Sequence, residues 1–392
     1  MSKTKIPFYR NPKIRSLFVQ IFVLSLVSFL ILSIYQTTVS NLIERGIQTS
    51  TSFFDDVAPF KIGFSPFLDF DLGKTTYIEV FYIGILNTIL IAILGIIAST
   101  ILGFIVGIVR LSPNWLASKC ALVYIEVFRN VPLLLQIMFW NFAVFLATLP
   151  PPKKSIEFGF LYLNSRGLHT PIPYVEDELR FNFWIFILLM TVVGCIFLSK
   201  WAKKSFEHTG VKRPVFFYNF LIFTILATLS YLALGGPLEF DIPVLGKFNF
   251  KGGGQLPLPL FSLWFALTIY TSAFIAENVR AGISSVSTGQ LEAANSIGLN
   301  RAQTINMIVI PQAMRVIIPP TISQFLNLTK NSSLAVAVGY EEIVAVWAGI
   351  SLNQTGQAVI IIAMTIIVYE CMSLFTSFIL NMYNRKVQIT ER

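Results

Sequence analysis

Charged residues are scarce in this sequence. They make up only 12% of its 392 residues, whereas hydrophobic residues make up 55% and the mean hydropathy is +0.70. An ordinary soluble domain has roughly 25% charged residues. Apolar runs of about twenty residues, the length that crosses a ~30 Å hydrocarbon core, recur along the whole chain. The composition therefore predicts an integral membrane protein and excludes a sizeable soluble catalytic domain.

Cysteine and histidine are also rare, which limits the chemistry available to the chain. Cys120, Cys195 and Cys371 lie in or beside apolar segments and have no paired spacing, so neither a disulfide framework nor a thiolate metal site is indicated. His169 and His208 are far apart, and both fall in predicted loops. We therefore expect this chain to bind no metal ion and no cofactor.

The apolar runs predict an all-α polytopic membrane protein with about eight transmembrane helices. The first run follows a basic start, is longer than a signal-peptide core and has no small-residue cleavage site after it. We expect it to remain as a signal anchor. The predicted spans are 17–35, 84–108, 127–149, 182–199, 215–234, 258–277, 306–329 and 357–381.

The distribution of lysine and arginine predicts the orientation of these spans, because cytoplasmic loops carry the excess of positive charge. With the N-terminus inside, the inner segments hold 19 basic residues and the outer segments hold 10. Both termini are therefore expected in the cytoplasm. The net charge of +9 reflects this topology, and nucleic-acid binding is not expected.

The segment 334–350 leaves the number of spans open. It is apolar but is interrupted by Glu341 and Glu342. A ninth crossing here would put the C-terminus outside, so a short helix that dips into the outer leaflet is favoured. Moving the seventh span into this segment would preserve the orientation equally well and stays an alternative.

Four small residues recur every four positions in the second span and so share one helix face. They are Gly95, Ser99, Gly103 and Gly107. Small faces let helix backbones approach closely in lipid. The pattern fits packing within this chain and contact with a second membrane subunit equally well.

Residues 150–257 have the features of an insertion, with a proline-rich start, two predicted spans and a basic inner loop. The three glycines at 252–254 lack the Gly-Lys-Ser/Thr ending of a nucleotide-binding loop, so we expect a flexible linker there. The basic residues of the inner loop are Lys203, Lys204, Lys212 and Arg213.

A long polar stretch separates the sixth and seventh spans, and the charge count places it in the cytoplasm. Ser287 and Gln290 have the spacing of a capping box, so a short helix is expected to begin there. Gly298 can take the left-handed conformation that ends a helix. Asn300 and Gln303 repeat the capping signal for the next helix.

The short helix is expected to be amphipathic, because Leu291, Ala294 and Ile297 fall on one face. Such a face either lies on lipid headgroups or docks into a groove of a soluble partner. A headgroup-bound helix favours lysine and arginine on its polar side, whereas this one has Glu292 and small alanines. The partner interpretation is therefore favoured.

The segment GQLEAANSIGLNRAQTINMIVIPQA closely resembles the EAA motif in the permease subunits of ATP-binding cassette importers. In that motif, EAA is followed after three residues by glycine and after nine more by I-x-L-P. Ile310 replaces the usual leucine here. The residues at the motif positions are Glu292, Ala293, Ala294, Gly298, Ile308 and Pro311.

Three further runs, SAFIAENVRAGISSV, YIEVFRNVPLLLQ and TKNSSLA, resemble the polar amino-acid branch of this family. The organisation is similar to the larger permease of general L-amino-acid importers, which handle glutamate, glutamine, aspartate and asparagine. The resemblance implies a type I importer permease fold with an extra N-terminal helix and a two-helix insertion. The implied regions are an N-terminal region of residues 1–77, permease core 78–149, insertion 150–257, permease core 258–385 with coupling helix 288–298, and a tail 386–392.

The resemblance also implies partners. These are a cytoplasmic ATPase dimer whose groove receives the EAA helix, a second permease chain forming a heterodimer, and a periplasmic amino-acid-binding protein in a bacterial inner membrane. The absence of a Walker A pattern agrees with ATP and Mg being bound by the ATPase. Glu292 is expected near basic residues of the groove, Ala293 and Ala294 leave room for contact, and Gly298 and Pro311 set the angle of force transfer.

Polar residues late in the seventh span are candidates for the amino-acid pathway, because polar groups at lipid depth are costly unless they line a cavity or find partners. Glu370, near the middle of the last span, is expected to face the bundle interior and to border the pathway or a subunit interface, or else to be a paired structural carboxyl. The family's usual motif is altered here at Ser323, Asn331 and Ser332. The candidates in the seventh span are Gln324, Asn327, Lys330 and Ser333.

Two other functions compete with a permease subunit driven by a partner's ATP hydrolysis. An ion-coupled secondary transporter would more naturally have inverted repeats and several intramembrane carboxylates, whereas the predicted spans contain one carboxylate and no clear repeat. A membrane-embedded enzyme would need a cluster of intramembrane histidine or aspartate, which the sequence lacks.

Overall fold

The computed structural model of the chain describes residues 12–44, 46, 49–210 and 214–387. The basic N-terminal start as far as residue 11, Lys212 and Arg213 of the predicted inner loop, and the tail from residue 388 lie outside the described residues. The α-helices are α1 (Pro12–Glu44), α2 (Tyr77–Arg110), α3 (Trp115–Asn130), α4 (Leu133–Met138), α5 (Glu178–Thr209), α6 (Val215–Ala233), α7 (Leu258–Ser284), α8 (Thr288–Ser296), α9 (Arg301–Thr304), α10 (Ile310–Asn331), α11 (Leu352–Thr355) and α12 (Ala358–Val387).

Seven helices in the described ranges are long and apolar enough to cross a membrane. An eighth span is counted when α3 and the segment Leu133–Leu146 are taken together as one broken crossing. This segment consists of α4 and the π-helix Phe139–Leu146. The expectation of about eight spans is thus confirmed. The expectation of one continuous third span over 127–149 is wrong, because Pro132 has no backbone N–H to continue a helix and stands at the break as the N-cap of α4.

The segment 334–350 does not form a span. It consists of a 3₁₀ turn (Ser332–Ala337), a bend and a π-helix (Val344–Ser351) that runs into α11. The π-helix and α11 have 8 and 4 residues, well below the ~20 that a crossing requires. The seventh span remains at Arg301–Ala337, so the alternative that moved it into this segment is wrong.

The chain divides into two compact units. Unit 1 comprises Met1–Asn130 and Leu267–Arg392, and unit 2 comprises Val131–Ala266. In unit 1, α10 packs along α12 and α2, and the π-helix Val344–Ser351 packs on α2 and α12. An aromatic cluster around the fully buried Trp347 joins these elements to the 3₁₀ turn Ser52–Asp55.

The small-residue face of α2 is covered by helices of the same chain. A Cβ atom added at Gly103 would lie 2.7 Å from side-chain atoms of Ile275 in α7, and one added at Gly107 would lie 2.7 Å from Val279. A Cβ atom added at Gly95 would lie 3.1 Å from the side chain of Leu328 in α10. Packing within the chain is therefore confirmed for this face, and the alternative of a second subunit there is wrong.

In the described part of unit 2, the helix pair α5 and α6 is accompanied by eight short strands. The strands form a four-stranded antiparallel sheet in the order β1-β2-β3-β8, a two-stranded antiparallel sheet of β4 and β5, which α5 and α6 separate in the chain, and the hairpin β6–β7. The strands are β1 (Ile156–Phe158), β2 (Leu161–Asn164), β3 (Gly167–Thr170), β4 (Ile172–Tyr174), β5 (Glu239–Asp241), β6 (Val244–Leu245), β7 (Phe250–Lys251) and β8 (Gly254–Pro257).

The three glycines at 252–254 form an ordered turn, so the expectation of a flexible linker is wrong. Gly252 and Gly253 have φ values of +71° and +60°, a region that glycine adopts at little cost. The Gly253 N–H donates to a carboxylate oxygen of Asp241 at 2.8 Å, and Gly254 begins β8. The glycines therefore connect β7 to β8.

Candidate functional site

The polar stretch between the sixth and seventh spans forms the short helix α8. Its N-cap is Ser287 in extended conformation, so the predicted helix start is confirmed. The predicted capping box is not formed, because no side-chain cap bond is made there. The Gln290 side chain instead accepts a hydrogen bond from Gln312 of α10 at 3.5 Å.

The end of α8 has the two hydrogen bonds of a Schellman motif. The Gly298 N–H donates to the Asn295 carbonyl at 3.0 Å, and the Leu299 N–H donates to the Ala294 carbonyl at 3.1 Å. Gly298 has φ +79°, so the left-handed end predicted from the sequence is confirmed. An L-residue with a Cβ in this conformation costs roughly 1–2 kcal/mol.

The next helix begins two residues later with a complete capping box. The Gln303 N–H donates to the Asn300 side chain, and the Asn300 N–H donates to the Gln303 side chain, both at 2.9 Å. This predicted cap is confirmed. A π-turn (Ile305–Val309) follows, and α10 begins with Pro311 in its first turn. Because Pro311 has no N–H for the carbonyl four residues earlier, it favours the wider turn at this place.

The two faces of α8 have different environments. Ala294 is 2% exposed and is covered by the chain itself, since α8 packs on α9 and the following π-turn. Glu292 and Ala293 are exposed, and Ile297 is 74% exposed. The expectation that Ala294 belongs to an outward apolar face is therefore wrong. The exposed surface of α8 and its C-cap includes Glu292, Ala293, Asn295 and Ile297.

The candidate pathway residues lie along one flank of α10 and at its end. Asn327 and Lys330 are exposed, whereas Gln324 and Ser333 are half-buried. The Ser333 hydroxyl donates to the Lys330 carbonyl at 2.8 Å. These side chains recur every three residues, so each lies next to the following one, and we call the four the polar strip; Thr321 and Ser323 are further polar residues of α10.

Glu370 is exposed on α12, so the expectation that it faces the interior of this chain is wrong. Within the described residues of the chain, it makes no hydrogen bond or ion pair, which also argues against the alternative of a paired structural carboxyl. Successive residues of a helix point in different directions. Tyr369 of α12 therefore points inward, where it bonds to Glu342, and the next residue, Glu370, points outward.

A buried carboxylate does exist in unit 1, but it is Glu342. Glu342 is fully buried and accepts hydrogen bonds from the Tyr369 hydroxyl and the Ala345 N–H, both at 2.9 Å. The Tyr369 oxygen lies 3.4 Å from the Ser332 hydroxyl at the end of α10. This carboxylate network, Glu342 with Tyr369, Ala345 and Ser332, connects the segment before the π-helix to α10 and α12.

The neighbouring Glu341 holds the segment that precedes α2. Its carboxylate accepts the N–H groups of Gly63 and Phe64, each at a shortest distance of 2.8 Å. The Asn87 amide donates to the Phe64 carbonyl at 2.9 Å and to the Glu341 carbonyl at 2.8 Å. The Tyr340 hydroxyl donates to the Asn87 carbonyl at 2.9 Å. Adjacent carboxylates thus fix two different segments of unit 1.

The sequence contains a signal for this network. Asn87 and Thr88 are adjacent polar residues within the apolar helix α2, and both are fully buried. Polar groups inside a membrane helix require hydrogen-bond partners. The Tyr-Glu-Glu run at 340–342 is the polar group that interrupts the apolar segment 334–350, so the sequence indicates that each of the two sets needs partners.

The stability of the folded chain is expected to depend on the protonation of Glu342. Burial raises the pKa of this carboxyl from 4.5 to about 7, with its hydrogen bonds opposing the shift. The folded state therefore holds a proton that the unfolded state loses near pH 4.5, so stability falls as pH rises from about 4.5 to about 7 and is level above that. Between about pH 5 and about pH 8, the melting temperature of the unchanged purified complex should fall by more than the melting temperature of the Glu342→Gln complex. Equal changes in both proteins would contradict a titrating Glu342.

Two residues of the run YIEVFRNVPLLLQ, which resembles the polar amino-acid branch of the family, contact α7 from α3. The Tyr124 hydroxyl lies 2.6 Å from the Ser272 hydroxyl and donates to the Ile269 carbonyl at 3.0 Å. The Arg129 guanidinium lies 5.1 Å from the centre of the Phe274 ring. These residues therefore hold two helices of unit 1 together.

The fold and these contacts define a helical multi-span membrane protein with a short helix held outside the spans between α7 and α10. Among the described residues, no group of three His, Cys, Asp or Glu side chains could hold a metal ion. A profile of the family described as binding-protein-dependent transport system inner membrane component matches residues 99–389. The chain belongs to this family.

Curated relatives extend over nearly the whole chain. The putative amino-acid ABC transporter permease protein YhdX of Escherichia coli is 43% identical, over 98% of this chain and 97% of its own length. The general L-amino acid transport system permease protein AapQ of Rhizobium johnstonii is 42% identical, over 97% and 94%. A solved structure described as an amino acid ABC transporter with histidines has 20% identity and a TM-score of 0.45, over 79% of this chain and 95% of that chain. The resemblance stated from the sequence is confirmed.

Proposed function

We propose that this chain is a permease subunit of an ATP-binding cassette importer that moves L-amino acids across the bacterial inner membrane into the cytoplasm. Its full-length similarity to permeases named for amino-acid transport supports the substrate class. The observation that carries the mechanism is the exposed face of α8, a short helix that lies in the chain between α7 and the capping box of α9. A face of this kind fits a groove on a soluble protein.

The proposed partners are a cytoplasmic ATPase dimer that binds α8, a second permease chain in a heterodimer, and a periplasmic amino-acid-binding protein. ATP and Mg are bound by the ATPase, and this chain is a transport subunit without catalytic activity of its own. The excess of basic residues in the inner segments supports a topology with both termini in the cytoplasm. The core regions 78–149 and 258–385 carry transport, and 150–257 is the insertion.

Movement of α8 reaches the membrane through a nearly continuous helix. From Arg301, α9, the π-turn and α10 run on to Asn331, about 45 Å at 1.5 Å per residue. The polar strip (Gln324, Asn327, Lys330 and Ser333) lies near the far end of this rod. Closure of the ATPase dimer would move α8 and tilt α10, and the strip would then face the outer and the inner side in turn.

The proposed pathway includes the exposed side chains of α10 and α12. Lys330 and Glu370 are uncovered charged groups on helices of this chain, and such groups are costly at lipid depth unless water or protein covers them. The second permease chain supplies that cover in our proposal. The α-ammonium and α-carboxylate of an amino acid are complementary to charges of both signs.

Uptake by reconstituted vesicles tests this function. The chain should be purified with its proposed partners, the ATPase, the second permease and the binding protein, and placed in proteoliposomes. We expect radiolabelled L-glutamate or L-glutamine to accumulate only with ATP on the ATPase side, and vanadate to stop it. Uptake by this chain alone that an ionophore collapses would instead establish an ion-coupled secondary transporter.

A further inference from the structure

The helical rod from α9 to the end of α10 is packed differently at its two ends. Among residues 301–309, where the rod begins, Thr304 alone is buried within the chain. Where the rod ends, Leu328 and Thr329 are at most 2% exposed, and Ser332, the first residue beyond α10, is fully buried. Movement of α8 therefore meets little packing within this chain at the beginning of the rod, whereas the far end is anchored.

The anchor consists of hydrogen-bonding groups from other elements of unit 1. The Tyr369 hydroxyl of α12 donates to the Glu342 carboxylate at 2.9 Å, and its oxygen lies 3.4 Å from the Ser332 hydroxyl. This second distance is long for a hydrogen bond between hydroxyls but is a close contact, so the Tyr369 oxygen limits where Ser332 can lie. The Ile343 N–H, next to Glu342, donates to the Thr88 hydroxyl of α2 at 3.2 Å. The end of α10 is thus held against α12 and, through the carboxylate network, against α2.

Ser332 lies between two members of the polar strip, Lys330 and Ser333. The Ser332 hydroxyl donates to the Thr329 carbonyl at 2.7 Å, and the Ser333 hydroxyl donates to the Lys330 carbonyl at 2.8 Å. The chain changes here from α10 to the 3₁₀ turn Ser332–Ala337. Because a 3₁₀ turn is tighter than an α-helical turn, the place of this change sets the directions in which the neighbouring side chains point. The position of Ser332 therefore determines how the end of the polar strip is presented.

Two adjacent prolines separate the anchored part of α10 from the part near α8. Pro319 and Pro320 lie inside the helix. Each lacks the N–H that would bond to the carbonyl four residues earlier, and sharp bends of helices occur at such positions. The beginning of the rod can therefore move without carrying its far end along rigidly. The far end, which holds the polar strip, then depends on its own contacts for its position.

We propose that Tyr369, held by Glu342, is a positioning residue of the transport pathway. Its hydroxyl fixes the turn at Ser332 as the pivot about which α10 tilts, and so sets the directions of Lys330 and Ser333 at each stage of transport. This assignment rests on the proposed function, because the polar strip is the proposed pathway. Tyr369 acts through Ser332 and does not itself touch the amino acid.

Uptake and ATP hydrolysis by Tyr369→Phe, measured in the same proteoliposomes, test this role. The variant loses only the hydroxyl. We expect the amount of amino acid transported per ATP hydrolysed to fall about fivefold, the order of one ordinary hydrogen bond, while hydrolysis continues. A purely structural role would lower uptake and hydrolysis together and leave this ratio unchanged. Tyr340→Phe is the matched control, because it also loses a buried hydroxyl, one that donates to the Asn87 carbonyl of α2 at 2.9 Å. It should keep the ratio.

Ser332→Ala removes the same contact from the side of α10 and leaves Tyr369 intact, so it tests the pivot even if Tyr369→Phe assembles poorly. Ser332→Ala should lower the ratio of transport to hydrolysis in the same direction. The double variant should lose no more than the larger of the two single losses, because residues that act through one contact are not additive.

The outcomes are separable. An unchanged ratio in both Tyr369→Phe and Ser332→Ala, or an equal loss in Tyr340→Phe, would overturn the pivot. Additive losses in the double variant would overturn the route through Ser332. Absence of ATP-driven uptake by the unchanged complex would instead contradict the proposed function, and the assignment of Tyr369 with it.

Discussion

Replacement of Gly298 by valine is expected to reduce ATP-driven uptake by about tenfold or more, because a barrier change of ~1.4 kcal/mol is a factor of ten. Gly298 has φ +79°, and no atom lies within 4 Å of an added Cβ, so backbone strain is the cost of the substitution. Relief of the strain opens the Schellman motif and changes the angle between α8 and α9. ATP hydrolysis should continue while transport is lost, which is measured by both rates in the same proteoliposomes.

Gly210→Val is the matched control. Gly210 also ends a helix in the left-handed conformation, with φ +67° and open space around an added Cβ, but it follows α5 in the insertion. It should lose a similar amount of stability and keep its coupling of hydrolysis to uptake. If both variants transport normally, or both lose transport equally per folded complex, Gly298 has no special role in coupling.

Replacement of Glu342 by alanine is expected to destabilise the folded chain by about 2–5 kcal/mol, because two buried donors lose their acceptor. The donors are the Tyr369 hydroxyl and the Ala345 N–H. The chain should then assemble poorly with its partners, and the surviving complex should melt at a lower temperature. Size-exclusion chromatography of the solubilised complex and a thermal unfolding curve measure both effects.

Glu342→Gln provides the control, since an amide keeps the size and one acceptor oxygen. Its NH₂ group can donate to Tyr369, whose hydroxyl can turn toward Ser332, 3.4 Å away. This variant should assemble almost normally. Glu370→Ala removes an exposed carboxylate on the same helix as Tyr369 and should not lower the melting temperature. A Glu342→Ala complex as stable as the unchanged one would contradict the importance of the network.

Local signals in the sequence predicted much of the helical framework. The start of α8 at Ser287, its end at Gly298 and the capping box of Asn300 with Gln303 depend on residues three or fewer positions apart. The membrane spans depend on the mean character of about twenty neighbouring residues. Both kinds of signal are contained in a short stretch of chain, which is why sequence patterns predict them well.

Features that depend on distant residues were not predictable in this way. The strands of unit 2 are two to four residues long, and β3 pairs with β8 across the helix pair between them. No single stretch carries that pairing. Likewise, Glu370 was expected inside and Glu342 is inside, because the phase of α12 and the partners of the 340–342 segment are set by tertiary packing. Ala294 is buried for the same reason.

The roles of the candidate residues remain predictions. Glu292, Ala293 and Pro311 are exposed at or beside α8, where an ATPase could reach them. Gln324, Asn327, Lys330 and Ser333 form the polar strip, and Glu370 lies apart from them on α12. The proposed coupling surface and the proposed pathway thus both use side chains that are exposed or half-buried in the described residues.

The most direct measurement is a crosslink from Asn295, which is exposed on α8, to the ATPase. A photoreactive side chain placed there in the intact complex should join this chain to the ATPase subunit, and the yield should change when ATP is added. The same group at the buried Ala294 should give little product. An Asn295 position that never reaches the ATPase, or that reacts only with a reagent confined to the periplasm, would contradict the account.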